Sequence, residues 1–398
     1  MSEHFTSYSR LTQHRSCPQS WFYGSMMKLE RIPSNEAKVE LEFGNWWHAL
    51  RAAESIERGR SLGSLKSVPK MLGTVDNGPE IPTEQQTVVE AVFAAALKWE
   101  SELSSTKHEV WQARLGGGLT ERLRYVNDRW IEQWEAERKF EEPLAVEYRW
   151  RRELPSVKQP SGELVDPDTA MVGYIDEVYY DKRRGIVVAR DHKSHKGLSN
   201  QTTLDDMMDS QLQVYAWGGA PEIEAWGYGP IRAVAYDRVR TTKPSKPALT
   251  AGGGLSKSTS DYDLRTYLDF VGEGIPWGEP DTYVLSGPRK GTPKWGTYQV
   301  DPAVVEHLSS PVTVSRWMQR TLTPLNRNIV TAHLRAAVDT ALDMTLTRQR
   351  AAQSGQAARN LSESNCRWCD FQGLCRAQMV GGAEGDYDLE ALGLREKP

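Results

Sequence analysis

The sequence predicts an α/β (α+β) fold, a mixed central sheet flanked by helices. Three observations carry that prediction. β-Prone runs follow one another in mid-chain at 144–154, 170–180 and 185–190, with a fourth at 231–240. Stretches of helical periodicity lie before and after them. At 398 residues the chain can also bury a substantial core. Composition is ordinary globular, 39% hydrophobic and 26% charged, and the net charge of -4 excludes a generally basic, nucleic-acid-coating protein. A local basic groove stays open, because phosphate affinity depends on where charges sit. The start of the chain has no apolar h-region and no run reaches membrane-spanning length. The expected location is therefore cytoplasmic, with no membrane partner and with reduced thiols.

Residues 1–58 read as an N-terminal helical segment, interrupted by the charged, loop-like "LERIPSNEAK". Residues 59–143 read as a helical insert. Its helical part, from Thr83 to about Phe140, breaks at Gly116-Gly117-Gly118 into two helices. In the second, Leu123, Val126, Trp130 and Trp134 share one face and are expected in the core. Residues 144–245 hold the strands and a helix over 204–219. Residues 246–323 form a loop-rich insert, 324–380 a long helix followed by a cysteine cluster, and 381–398 an acidic tail. The segments Arg238–Lys246 and Gly287–Gly296 are basic and could follow a phosphate backbone, with Trp295 available to stack on a base. "AGGGLSKST" (Ala251–Thr259) has neither glycine that a phosphate-binding loop needs and reads as a linker.

The stretch "YYDKRRGIVVARDHK" is a hairpin signal. If Lys182 to Gly185 form its loop, Asp176 lies opposite Asp191. Cross-strand neighbours have Cβ atoms about 4.5–5.5 Å apart, so the two carboxylates repel unless a cation lies between them. Hard oxygen ligands suit Mg²⁺ or Mn²⁺. Strand alternation puts Lys193 on the face of Asp191 and His192 on the other. The strand is thus expected to end in a metal site. Gln211 and Tyr215 lie one helical turn apart and face the same way. His48 sits in an apolar helix beside Trp46 and Trp47, where a core histidine is the commoner outcome.

Four cysteines exist: Cys17 near the start, then Cys366, Cys369 and Cys375 as C-x2-C-x5-C. Disulfides are disfavoured in a reducing compartment. Zinc and an iron–sulfur cluster both remain open, and either would tie the two ends of the chain together.

Taken in order, Cys17, Gly44-x3-His48, Gly173-x2-Asp176, Asp191-His192-Lys193, Gln211-x3-Tyr215 and the three C-terminal cysteines resemble the PD-(D/E)XK nuclease superfamily. The match is to its RecB/Cas4-like branch with an iron–sulfur cluster, and it spans nearly the whole chain. The resemblance implies a restriction-endonuclease-like core over 144–245. It implies His48, Asp176 and Asp191 as ligands of Mg²⁺ or Mn²⁺, helped by the backbone carbonyl of His192. Lys193 would position the attacking water, and Gln211 and Tyr215 would steady the site or the strand. Cys17, Cys366, Cys369 and Cys375 would ligate a [4Fe–4S] cluster, with Zn²⁺ as the alternative. Glu147 is where relatives sometimes add a carboxylate, against a solvated strand residue. His192 and His195 depart from the pattern and either add metal affinity or are exposed.

The implied activity is an ATP-independent, metal-dependent DNA exonuclease in recombination, repair or DNA processing, of the compact kind phages encode, which would place it in the host cytoplasm. Its substrate would be single-stranded DNA or DNA with free ends. One alternative is a Cas4-like end-processing subunit with an integration or recombination partner protein. Another is a non-catalytic, metal-stapled DNA-binding scaffold.

Overall fold

The computed structural model describes residues 5–32, 39–75, 78–158, 161–167, 169–198, 209–245, 247, 262–272, 300, 302–380 and 387–397. The linker 251–259 and the basic segment 287–296 with Trp295 lie outside these residues.

The chain opens with a strand, β1 (Phe5–Ser7), rather than with a helix. Helices α1 (Tyr8–Ser16) and α2 (Pro18–Trp21) follow, then a short strand β2 (Leu29–Arg31) inside the stretch expected to be a loop. Ser7 caps α1, and its hydroxyl accepts from Arg10 N–H at 3.4 Å. Next come the long α3 (Val39–Leu62) and a small hairpin, β3 (Met71–Leu72) and β4 (Ile81–Pro82). The insert then forms three helices where two were expected: α4 (Val88–Ser101), α5 (Ser105–Leu115) and α6 (Leu119–Arg138). The unforeseen break falls before Ser104, whose side chain caps α5 by accepting from Lys107 N–H. The second break is at Gly116, which caps α5 with φ 73°. Leu123, Val126 and Trp130 are buried as expected, and Trp134 is half-buried.

The central sheet follows. Strand β5 (Glu141–Glu153) leads to a small hairpin, β6 (Val157–Lys158) and β7 (Leu164–Val165), and then to β8 (Ala170–Asp181) and β9 (Ile186–His195). Helix α7 (Ser210–Ile223) precedes β10 (Ile231–Arg240). Three short helices, α8 (Leu264–Gly272), α9 (Pro302–Ser309) and α10 (Pro311–Val314), lead to β11 (Met318–Pro324). Helix α11 (Arg327–Ser354), the two short helices α12 (Glu363–Cys366) and α13 (Gln372–Met379), and β12 (Leu394–Glu396) complete the chain.

The sheet is mixed. Strand β8 pairs antiparallel with β5 on one edge, and β9 continues antiparallel from β8, parallel to β10, which pairs antiparallel with β11. Helices α3–α6 cover one face with a core built on Phe43, Trp46, Trp47, Trp111 and Trp130. Helices α1, α7 and α11 cover the other, around Leu11, Trp21, Trp150, Val214 and Val338. The C-terminal strand β12 pairs with β2, so part of the acidic tail is docked on the fold.

One detail of the sheet creates the site. The second edge of β8 is shared: Asp181 to Glu177 pair with β9, whereas Ala170 to Val172 pair parallel with β1. Residues 173–176 face the fork between those two partners.

Candidate active site

Hairpin register places the first two carboxylates. Residues 182–185 form the loop, with Gly185 at φ 67°, where a side chain would strain the backbone. Asp181 accepts from the N–H groups of Arg183 and Arg184 at 2.9 and 3.0 Å, closing the turn. The ladder then runs from Asp181↔Ile186 to Glu177↔Arg190 and stops one step short of Asp176 and Asp191. Asp176 takes the place of a ladder partner: its Oδ2 accepts the His192 N–H at 2.8 Å. Strand β9 continues beside β10 to His195, so Asp191 and Lys193 lie within the strand and not at its end.

Two further elements bring ligands into the fork. A Cβ at Gly44 would stand 2.9 Å from Ser194 Oγ, so glycine lets α3 lie close against β9. One turn on, His48 Nδ1 comes to 3.2 Å from Asp176 Oδ2. From β5, Glu147 lies between the pairs Val146↔Glu177 and Tyr148↔Ile175, with φ 46°. A left-handed glutamate within a strand is strained, and such strain recurs at functional sites. Glu147 is half-buried and lies with His48 and Asp176. Burial and the charges of Asp176 and Asp191 push its pKa up to about 8.

His48, Glu147 and Asp176 each offer a ligand atom, and these atoms lie within 4.8 Å of one another. Among the described residues no other His, Cys, Asp or Glu group does so. Asp191, only 6% exposed, is not one of the three, but it lies close enough for its charge to act on Glu147. The Lys193 ammonium stands 3.0 Å from Asp191 Oδ1 and 2.9 Å from its Oδ2. Burial and Asp176 push the Asp191 pKa up to about 6 despite that lysine. Burial works against the Lys193 ammonium, yet Asp191 holds its pKa above the usual lysine value. Three carboxylates thus face one lysine and one half-exposed histidine. The donor set of hard oxygens and an imidazole, short of positive charge, fits a divalent cation.

Gln211 Nε2 donates to Tyr215 Oη at 3.3 Å, and the Tyr215 ring meets Trp150 and Tyr8 edge-on. Trp150 itself occupies the space left by two glycines, Gly173 and Gly218, where a Cβ would come within 2.7 and 2.3 Å of it. The glycine of the G-x-x-D motif therefore serves packing beneath the site. The two histidines divide. His192 is neither exposed nor directed at the site: its side chain is buried on the opposite face, between Glu177 and Asp237 at 3.7 and 3.9 Å. His195 is exposed at the strand end. Of the first basic segment, Arg238 and Arg240 belong to β10 and lie over Tyr236 and Trp317, and Lys243 pairs with Glu121 at 3.3 Å. The described part of that segment, 238–245, thus begins as strand rather than as a free loop.

Cys369 lies near Cys17 and Cys375, from opposite ends of the chain, although among the described residues no three cysteine sulfurs gather within 4.8 Å. Cys17 separates α1 from α2, and the side-chain amides of Asn360 and Asn365 donate to Ser16 O at 2.9 and 3.0 Å. Gln19 N–H donates to Ala358 O at 2.9 Å, adding a further tie. Cys369 and Cys375 pack against Tyr23, Phe371 and Leu374. Burial raises the Cys369 pKa, with Cys17 and Cys375 near enough to add to the rise. Thiols beside an apolar floor are donors of the kind a thiophilic metal group takes.

The sequence model of the PD-(D/E)XK nuclease superfamily matches residues 6–376. The chain belongs to that superfamily. Its members are metal-dependent nucleases, and the mixed sheet flanked by helices agrees with a restriction-endonuclease-like fold. No curated protein matches this member of the superfamily. No helix among its described residues is long and apolar enough to cross a membrane.

Proposed function

We propose that this superfamily member is an ATP-independent DNA exonuclease requiring Mg²⁺ or Mn²⁺. It would act on single strands or free ends during recombination, repair or DNA processing. The observation that carries the reading is the gathering of His48, Glu147 and Asp176 within 4.8 Å, beside the Asp191–Lys193 pair.

In this reading His48, Glu147, Asp176 and Asp191 hold the cation together with the His192 carbonyl. A divalent cation there supplies Lewis-acid polarisation of the scissile phosphate. The chain's own groups do the rest. Asp176 fixes the peptide of His192 through its N–H, which aims the adjoining carbonyl. Lys193 keeps its proton, so its Nζ can orient the attacking water and offset charge growing on the phosphate. Gln211 and Tyr215 present an amide and a hydroxyl to the strand. Cys17, Cys366, Cys369 and Cys375 would hold a [4Fe–4S] cluster that clamps the two chain ends. The four-cysteine pattern supports placing the chain in the RecB/Cas4-like branch.

The test is degradation of end-labelled DNA with Mn²⁺ by the unaltered protein and by Asp191→Asn. Stepwise shortening from an end, absent in the variant, is the expected result. Internal cuts preceding any end product would overturn the exonuclease assignment. Broad visible absorption with about four irons per chain is expected for the cluster, and a colourless zinc protein would overturn it.

A further inference from the structure

Trp368 departs from the rule its counterparts obey. Of the twelve described tryptophans it alone is exposed, with 81% of its surface accessible. An indole left in water forgoes much of the burial free energy a large aromatic can provide. The turn that presents it is well held. Cys369 N–H donates to Cys366 O at 3.2 Å, Gln372 N–H to Cys369 O at 3.2 Å, and Asn365 ties the turn to the end of α1. Arg367 Cζ lies 5.4 Å from the ring centroid, and the next exposed neighbour is the carboxylate Asp370. A broad apolar protein interface is not what this turn offers. A single planar ring beside a guanidinium matches a base and its phosphate.

Between this turn and the carboxylate site, α1 and α11 present three arginines, with Asp343 of α11 beside them, 3.8 Å from His14. Arg10 and Arg15 are exposed on α1, and Arg348 faces them from α11. Arg10 donates to Phe5 O, and Arg15 Nε to Thr340 Oγ1 at 2.7 Å. None of the three has a carboxylate partner among the described residues. Their crowding agrees with the lowered pKa of Arg348, from burial and then Arg10, and of His333, from burial and then Arg15. Tyr8, at the start of α1, meets the Tyr215 ring edge-on at 6.5 Å, so the strip of arginines begins beside the site. It ends at Cys17.

We propose that Trp368, with Arg367 beside it, is a stacking platform for an unpaired base of the DNA strand. Arg10 and Arg15 accompany the intervening phosphates. The inference rests on the nuclease reading and adds the course of the single strand.

The experiment is fluorescence anisotropy of the full-length protein with a labelled single-stranded oligonucleotide, without divalent cations so that no cleavage competes. Trp368→Ala should raise Kd at least roughly fivefold, the low end of base–aromatic stacking, and Trp368→Phe should recover most of that loss. Arg15→Gln should reduce the steepness of the salt dependence by about one phosphate contact. A Trp368→Ala Kd within about twofold of the unaltered protein overturns the proposal, as does Trp368→Phe behaving like Trp368→Ala. Photo-crosslinking of the unaltered protein to 5-iodouracil DNA needs no variant: an adduct at Trp368 is expected, and adducts confined to other residues overturn the proposal. A dimer in solution that Trp368→Ala dissolves would assign the ring to a second copy and overturn it too. Mn²⁺-dependent cleavage, measured on the same preparation, keeps the two readings apart. Cleavage with an unmoved Kd sinks the platform alone, whereas a lost Kd without cleavage sinks the nuclease reading alone.

Discussion

Strands β8 and β9 carry charge on both sides of the sheet, and the two charged clusters follow opposite rules. On the side of α3, Arg190 donates to Glu177 at 2.8 Å and to Glu141 at 2.6 Å. Arg320 grips Asp237 in a bidentate pair at 2.6 and 2.7 Å and reaches Glu141 at 3.0 Å. Ser55 of α3 donates to Glu177 at 2.8 Å. Each of the three carboxylates thus has an arginine against it, the charges of Arg51 and Arg138 reach the group as well, and His192 lies between Glu177 and Asp237. Burial alone would raise Asp237, yet Arg320 and Arg190 bring its pKa down to about 2. One residue away in the sequence, at the fork, the carboxylates outnumber their cations, and Glu147 and Asp191 are pushed upward instead. A buried charge cluster that is paired fastens elements together, while one left short of cations is a candidate cation site.

The largest effect that would test this contrast is on cleavage. Asp191→Asn should abolish it, far beyond the roughly 10–100-fold change typical of groups behind the ligands. Because a repulsion is removed, the variant's melting temperature should be retained or raised. A drop in stability by calorimetry would break the comparison.

The mirror-image change is Asp237→Asn, which strands Arg190 and Arg320 in the interior. It should cost about 3–5 kcal/mol in denaturant unfolding. A loss under ~1 kcal/mol would show that the inner cluster is dispensable for stability.

A divalent cation distinguishes the two clusters by pH. Glu147 and Asp191 have folded-state pKa values above their ordinary 4.5 and 3.8. Their contribution to stability is therefore complete below pH ~4 and lost as pH rises through about 6 and 8. Asp237 has the opposite sign: its contribution is complete above about pH 4 and lost as pH falls toward 2. Mn²⁺ must displace the protons at the fork, so its stabilisation should grow between pH 6 and 8. At about 100 times its Kd it should reach about 2.7 kcal/mol. Thermal unfolding with and without Mn²⁺ measures this, and Glu147→Gln should flatten the pH dependence.

The smallest effect belongs to Ser55→Ala, which removes one hydrogen bond to a charged group while Arg190 still holds Glu177. A loss of about 1.5–3 kcal/mol is expected in denaturant unfolding.

How much of this could be read from residues alone depended on how local the cause was. The hairpin was legible, since turn chemistry at 182–185 sets a register that the ladder follows to Glu177↔Arg190. The contrasting sides of β9 were legible too, because strand alternation is a property of the backbone. Strand β11 was not: its partly buried Arg320 disguises it, and only β10 and the inner carboxylates explain that residue. Glu147 was half legible. Its strand was expected, but its left-handed turn into the fork is imposed by its neighbours.

The sequence by itself determined the hairpin, the face that Asp191 and Lys193 share, and the burial of most aromatic side chains, all consequences of short-range periodicity. The tertiary structure alone decided that β1 would take the lower edge of β8, that Gly44 would let α3 carry His48 to Asp176, and that residues 17 and 366–375 would meet. Those outcomes depend on which distant segments pack together, and partner choice over hundreds of residues leaves no period in the chain to read.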